Sequence, residues 1–293
     1  MADVFAIVIA SPRMWRWLKN SWHELDREAE LARSADGASA PDAALQAQAA
    51  TEPPARQILL CAAVLMALAF GVGDRPFFEA ELAPRLRSLA GPAAAGWFHA
   101  HGTLLSYGYW AVSVLFLYGL LPALHLTRLG EPLGAIGLRL PRGDRLPIRH
   151  VYLLFFVLLF PALVLLSRTA SFQQTYPFYS DAGRSLPELV CWELLYASTF
   201  LAIEFFFRGY LLFGLFPRLG SLAIFVSALP YCLIHIGKPA SEMLGSIAAG
   251  ILLGTLALRS GSIWGGVGLH AGVALSMDLL SLWQSGRLAR LLH

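Results

Sequence analysis

Apolar residues in this chain occur in long runs that short polar stretches separate. Seven runs are candidate membrane spans, because a helix needs about 20 mostly apolar residues to cross a bilayer. Helices satisfy their own backbone groups in lipid, and these runs are longer than barrel strands. The pattern therefore predicts an all-α fold, a polytopic transmembrane helix bundle of about seven spans. The predicted spans are residues 57–73, 102–126, 151–167, 186–216, 222–236, 243–258 and 263–282.

The polar stretches divide the chain into three predicted parts. Residues 1–56 form an N-terminal cytoplasmic or interfacial segment, in which a tryptophan-rich helix at the membrane surface and a soluble helix are equally compatible with the pattern. Residues 38–55, rich in alanine, are predicted to be a flexible linker. Residues 57–185 contain the N-terminal transmembrane helices and their loops, and residues 186–285 contain a C-terminal transmembrane core.

Composition agrees with a membrane protein. Charged residues make up 14% of the chain and hydrophobic residues 57%, whereas a soluble domain carries roughly 25% charged residues. A disordered chain would be poor in apolar residues, and three cysteines build no disulfide framework. The net charge of +3 gives no reason to expect a nucleic-acid partner. Membrane lipid is therefore the first predicted partner.

Basic residues predict the orientation in the membrane, because cytoplasmic loops carry an excess of lysine and arginine. The loop at residues 127–150 holds five arginines against two acidic residues. We therefore expect this loop and the N-terminus to lie in the cytoplasm, with the protein in the plasma (inner) membrane. The polar segment at residues 168–186 is predicted to be a loop on the outer side. The apolar run Val4–Ala10 precedes its basic residues, so no cleaved signal is predicted.

Several ionisable residues lie inside the predicted spans, where each one needs a partner, a cavity or a functional role. Glu193 and Glu204 are eleven residues apart and share one helix face, and Arg208 follows Glu204 by one turn. Glu204 and Arg208 are therefore predicted to pair. Spans further along the chain contribute His235, His270 and Asp278.

The residues Glu204, His235 and His270 suggest two routes to peptide hydrolysis. In the first, Glu204 takes a proton from water that attacks a peptide carbonyl, and the two histidines stabilise the oxyanion. In the second, the three side chains bind a divalent metal such as zinc, whose bound water is the nucleophile.

A ridge of small residues is predicted to bring these helices together. Ser246, Gly250 and Gly254 recur at four-residue intervals in the sixth span. Such a ridge permits close helix approach, and dimerisation is the alternative use.

At these residues the sequence resembles the CAAX protease and bacteriocin-processing (abortive-infection) family of intramembrane proteases, which includes the type II CAAX prenyl endopeptidases. The family's first motif is a pair of glutamates, three residues and an arginine, and here Glu204 and Arg208 match its second glutamate and its arginine. An aromatic residue followed four positions later by histidine matches Tyr231 and His235. A histidine followed four positions later by asparagine matches His270.

Two positions depart from the family pattern. Ile203 stands at the position of the first glutamate, and Ala274 stands at the position of the asparagine. In the family, the first glutamate is usually the residue that activates water. Glu204 must then act as the base, or Glu193 must assist it, or the protein is not a protease. Asp278, two turns after His270, is a candidate replacement for the asparagine as a polar partner.

The resemblance implies a membrane-bound endopeptidase that acts on a membrane-associated peptide or protein. Members of the family act on prenylated C-termini or leader peptides, or serve in immunity. Two other functions are compatible with the residues: a non-catalytic scaffold or immunity protein, and a proton-coupled transporter that uses Glu193, Glu204 and Asp278 as a relay. The N-terminal half contains no matching intramembrane acids, which disfavours the transporter.

Overall fold

The protein is all-α in the computed structural model, which describes residues 11–37, 55–140 and 146–292. No β-strand occurs within these ranges, so the predicted fold class is confirmed. The helices are α1 (Pro12–Gly37), α2 (Ala55–Gly71), α3 (Arg75–Ala90), α4 (Pro92–Arg128), α5 (Leu146–Leu166), α6 (Ala170–Thr175), α7 (Leu186–Leu219), α8 (Leu222–Leu233), α9 (Ala240–Ser260), α10 (Trp264–Gln284) and α11 (Arg287–Leu292).

Every predicted span coincides with an apolar helix, but the helices differ in length. Among the described residues, four helices are long and apolar enough to cross a membrane, namely α4, α7, most of α9 and α10. Helices α2 and α3 meet at a bend of 50° and supply a fifth span if the pair crosses as one. The apolar helices at residues 150–166 and 222–233 are shorter. Four or five spans are therefore supported, and the count of seven stays a prediction.

The tryptophan-rich N-terminal segment forms helix α1, which packs on the ends of three other helices. Its residue Asp26 accepts hydrogen bonds from the Ser221 backbone N–H at 2.7 Å and from the Ser221 hydroxyl at 3.0 Å. Trp22 donates to the Thr255 hydroxyl of α9 at 3.1 Å. Because Ser221 precedes α8 and follows α7, helix α1 fixes the junction of the two helices. The predicted linker at residues 38–55 lies almost entirely outside the described residues.

Helix α7 lies in the centre of the bundle and packs against α4 and α10. Its start is defined by Ser185, whose hydroxyl accepts a hydrogen bond from the Glu188 backbone N–H, with proline in the first turn. Residues Phe205–Phe213 widen into π-helical turns, a feature that is frequent at functional sites. Glu204 ends the regular α-helical part, so the first polar motif lies at this transition.

The predicted small-residue ridge is confirmed as a packing contact. A β-carbon at Gly250 would lie 3.0 Å from the Ala228 β-carbon, and one at Gly254 would lie 3.3 Å from Ile224. Both neighbours belong to α8, and Ser246 on the same ridge is buried. Larger side chains would therefore separate α8 from α9, since the backbones approach closely only where side chains are small.

The polar segment at residues 168–186 is not a simple loop. It contains the short helix α6 and then turns inward, so that Tyr176, Pro177 and Tyr179 are buried. Aromatic side chains explain this direction, because their large apolar area is stabilised by removal from water. We call residues 176–179 the inserted segment.

Candidate active site

Glu204 and Arg208 form a fully buried ion pair on α7. The Arg208 Nη1 atom lies 3.0 Å from Glu204 Oε1, and the two side chains are 2% and 1% exposed. The guanidinium carbon also lies 4.0 Å from the centre of the Tyr231 ring. The predicted pairing is therefore confirmed. Each charge depends on the other, since an isolated buried charge is strongly unfavourable.

His270 on α10 contacts the same carboxylate. Its Nδ1 atom lies 3.1 Å from Glu204 Oε1. A carboxylate can only accept hydrogen bonds, so Nδ1 carries the proton and Nε2 is the acceptor nitrogen of the neutral ring. The Tyr231 hydroxyl lies 3.5 Å from Nε2, at the limit of a hydrogen bond. The contact with Glu204 thus fixes the ring orientation, as carboxylates commonly do for functional histidines.

Tyr231 and His235 come from the end of α8. The Nδ1 atom of His235 lies 3.0 Å from the Tyr231 backbone oxygen, which frees the His235 Nε2 atom for other contacts. The two rings meet edge to face with their centres 4.9 Å apart. Helix α8 stops at Leu233 and leaves the Tyr231 carbonyl without a helical partner. The end of helix α8 therefore fixes the position of the His235 ring through the Tyr231 backbone oxygen.

A cavity of about 570 Å³ lies beside these residues. Its wall includes Tyr231, His235 and His270, together with many aromatic and aliphatic side chains. Ile203 and Ala274, the two departures from the family pattern, also belong to the wall. Both places at which the family would supply polar atoms to the cavity are therefore apolar in this protein.

Glu204 itself does not belong to the cavity wall. The residue is buried, and its second oxygen, Oε2, has no hydrogen-bond partner among the described residues. That oxygen faces Gly266 on α10, where an added β-carbon would overlap it. The structure thus joins Glu204 to His270, and His270 reaches the cavity. The role of Glu204 as the water-activating base stays a prediction, and its position favours a role through His270.

Glu193 lies on α7 but far from this group. Eleven residues of helix separate it from Glu204, which corresponds to about 16 Å along the axis. Neither of its carboxylate oxygens is exposed, and neither has a hydrogen-bond partner within the described part of the chain. The shared helix face therefore does not bring Glu193 to the site.

The position of Glu193 gives a stability prediction. We expect Glu193→Gln to leave the free energy of unfolding unchanged or to raise it by up to about 1 kcal/mol, because the amide is a neutral group of the same shape and replaces an ionisable group that has no hydrogen-bond partner among the described residues. Chemical unfolding of the purified protein in mixed micelles measures this change. A loss of more than about 1 kcal/mol would show that the carboxylate has a stabilising partner.

Asp278 is fully buried and serves a different part of the molecule. Its Oδ1 atom accepts a hydrogen bond of 2.8 Å from the Phe178 backbone N–H, and Oδ2 accepts one of 3.4 Å from Trp192 Nε1. These contacts differ from the predicted partnership with His270. Among the described residues, no hydrogen bond joins Asp278 or Glu193 to Glu204, which disfavours a relay through the three acids.

The sequence interpretation missed a polar cluster in the cavity wall. The Tyr176 hydroxyl lies 2.9 Å from both carboxylate oxygens of Glu242 and accepts a 3.2 Å hydrogen bond from Lys238. Lys238 is one of two lysines in the chain. The rarity of lysine was the feature of the sequence that could have indicated this cluster. Burial lowers the pKa of the Lys238 ammonium, and the nearby Glu242 carboxylate opposes that effect.

The candidate metal ligands are Glu204, His235 and His270. Within the part of the chain that the structure describes, no group of three or more His, Cys, Asp or Glu side chains is placed to hold a metal ion. Glu204 Oε1 contacts His270 Nδ1 directly, and Glu204 lies outside the cavity wall to which His235 and His270 belong. The arrangement of the described residues does not fit a three-ligand zinc site.

Comparison with known proteins supports the resemblance over one third of the chain. Residues 186–276 match the family model described as type II CAAX prenyl endopeptidase Rce1-like, which confirms the resemblance drawn from the motifs. No curated protein and no solved structure matches the chain significantly. The matched segment begins with α7 and includes Glu204, His235 and His270. Together with the apolar helices, the match indicates an integral membrane protein in which residues 186–276 are similar to a family of membrane proteases.

Proposed function

We propose that this protein, whose residues 186–276 match a family of membrane endopeptidases, hydrolyses a peptide bond of a membrane-associated peptide or protein. The observation that carries the proposal is the contact between Glu204 Oε1 and His270 Nδ1, 3.1 Å long, in a histidine that lines the cavity. This contact leaves His270 Nε2 as a proton acceptor beside the cavity.

In the proposed reaction, water attacks the carbonyl carbon of the scissile bond while His270 Nε2 takes a proton from it. The carbonyl oxygen becomes an oxyanion, to which the Tyr231 hydroxyl donates a hydrogen bond. The carbon–nitrogen bond then breaks, and His270 returns the proton to the leaving amine. His235 orients the attacking water through its Nε2 atom. Glu204 stabilises the positive charge on His270 during these steps, and Arg208 holds that carboxylate in place through the contact of 3.0 Å.

The activity is tested with purified wild type and with His270→Ala, His235→Ala and Glu204→Gln, each assayed against a library of membrane-associated peptides. We expect each change to lower kcat/KM by at least about 100-fold. His101→Ala is the matched control, because His101 is not part of the cavity wall and its ring contacts the Trp97 backbone oxygen and ring. Thermal unfolding of every variant serves as the folding control.

Cleavage at the wild-type rate by all three site variants would refute the site. No cleavage by the wild type would favour the second candidate, a non-catalytic scaffold or immunity protein. The observation behind that candidate is the apolar cavity wall at Ile203 and Ala274, where the family supplies a glutamate and an asparagine.

The zinc alternative, which the geometry of the described residues disfavours, and the cellular location are each open to a direct test. Metal analysis of the purified protein, with activity measured before and after chelation, tests the zinc alternative.

For the cellular location, we propose the plasma (inner) membrane with the N-terminus in the cytoplasm. The arginine-rich stretch between α4 and α5 supports this orientation. Labelling of single cysteines placed in α1, in intact cells and in lysed cells, tests the orientation.

A further inference from the structure

The inserted segment closes one side of the cavity. Tyr176 and Phe178 contribute to the cavity wall, next to Lys238 and Glu242. The Phe178 ring stacks on the Tyr196 ring with centres 5.3 Å apart and planes within 5° of parallel. The Lys238 ammonium lies 4.5 Å from the centre of the Phe178 ring. Phe178 therefore separates the apolar interior of the cavity from its charged edge.

Helix α10 holds this segment by its backbone. Asp278 accepts the Phe178 N–H at 2.8 Å, and the Ser281 hydroxyl donates to the Tyr176 carbonyl at 2.5 Å. Asp278 also accepts from Trp192 of α7. A charged acceptor forms stronger hydrogen bonds than a neutral one, and their loss would leave buried donors unsatisfied. One buried carboxylate thus links α7, α10 and the inserted segment.

Asp278 cannot act on a substrate directly. Its exposed fraction is zero, and it is not part of the cavity wall, whereas Phe178 is. The effect of Asp278 on the cavity is therefore indirect, and its hydrogen bond to Phe178 provides a route through the inserted segment.

We propose that Asp278 is a positioning residue that fixes the inserted segment, and that Phe178 on this segment determines the size of the apolar substrate group that the cavity admits. The proposal deepens the proposed function and rests on it in one respect: the admitted group belongs to the peptide or protein that is cleaved. The shape of the cavity is measurable without cleavage.

The experiment measures the shape of the cavity by thiol labelling of the full-length protein. Cys61, Cys191 and Cys232 are replaced by alanine, and a single reporter is introduced by Ala249→Cys, at a position in the cavity wall. The probes are methyl methanethiosulfonate, which is small, and benzyl methanethiosulfonate, which is bulky. The ratio of their rates reports the space beside the reporter.

We expect Phe178→Ala to raise the bulky-to-small ratio roughly tenfold, because the removed ring leaves space in the wall. We expect Asp278→Leu to raise the ratio in the same direction and to speed amide hydrogen exchange in the inserted segment roughly tenfold or more. Asp181→Asn is the matched control. Asp181 follows the inserted segment and pairs with Arg184 in a partly exposed contact of 3.3 Å. It should leave both readouts unchanged.

An unchanged ratio in Phe178→Ala would overturn the size-determining role. A lower unfolding temperature in Asp278→Leu without faster exchange in the inserted segment would reduce Asp278 to a structural residue and overturn its positioning role. If Asp278→Leu does not fold, Asp278→Asn replaces it, because the amide keeps the acceptor for Phe178 but opposes the Trp192 donor. In that variant the hydrogen-exchange rate of the Trp192 indole N–H should rise. An unchanged exchange rate would count against the proposal.

The two proposals fail in different ways. If the labelling ratios change as expected but the wild type cleaves no peptide, the roles of Asp278 and Phe178 are supported and the endopeptidase activity is refuted. If the wild type cleaves peptides but the ratios do not change, the endopeptidase activity is supported and the roles of Asp278 and Phe178 are refuted. If the wild type cleaves peptides, Phe178→Ala should shift its preference towards bulkier apolar side chains.

Discussion

Arg208→Met is expected to lower the free energy of unfolding by about 3–5 kcal/mol, the cost of leaving a buried charge without its partner. Methionine fills a similar volume, so packing changes little. The Glu204 carboxylate, 1% exposed, would keep only the contact with His270. Chemical unfolding in mixed micelles measures the loss. We also expect proteolytic activity to fall, because the Glu204 carboxylate that contacts His270 would lose the Arg208 contact that fixes its position.

A second ion pair of the same spacing provides the control. Arg85 and Glu81 are also one helical turn apart, with a contact of 3.0 Å, but their side chains are 71% and 50% exposed. Arg85→Met should cost less than about 1 kcal/mol, since exposed pairs contribute little. The double variant Arg208→Met with Glu204→Gln should recover much of the loss, because it removes both charges. An effect of Arg208→Met no larger than that of Arg85→Met would contradict the buried pair.

The second large effect is expected from Gly266→Ala. A β-carbon at Gly266 would overlap Glu204 Oε2, so the carboxylate or the helix must move. Overpacking of this kind typically costs about 1–3 kcal/mol. A displacement of about 1 Å at a catalytic group can lower the rate by about 100-fold. We therefore expect Gly266→Ala to lose most activity while it remains folded, as judged by kcat/KM and thermal unfolding.

Gly268→Ala is the matched control for this prediction. The residue lies two positions further along α10, and an added β-carbon there would have no neighbour within 4 Å. Alanine is favoured over glycine in a helix by about 1 kcal/mol, so Gly268→Ala should be neutral or stabilising. If Gly266→Ala behaves like Gly268→Ala, the close approach of Glu204 to α10 is wrong.

Local pattern was sufficient to predict several features of the fold and the site. The spacing of four residues between Glu204 and Arg208 predicted their ion pair, because residues one turn apart on a helix are neighbours. The small residues Gly250 and Gly254 predicted a close helix contact for a similar reason. In both cases the relevant geometry lies within one helix or on its surface.

Helix geometry was less informative about Glu193 and Asp278. Periodicity gives the face on which a side chain lies, but two residues on one face are still separated along the axis by about 1.5 Å per residue. Glu193 is too far from Glu204 for that reason. Asp278 contacts Phe178, which is 100 residues away in the chain, so no local pattern could have predicted this partner.

The sequence by itself determined the helical membrane fold, the buried ion pair and the order of the motifs, because each depends on composition or on spacing within a helix. The tertiary structure alone decided which side chains reach the cavity. It placed Ile203 in the wall and its neighbour Glu204 behind His270, since adjacent residues on a helix point in directions about 100° apart. It also brought the inserted segment to Asp278. Such contacts arise from the packing of separate helices, which no spacing along the chain encodes.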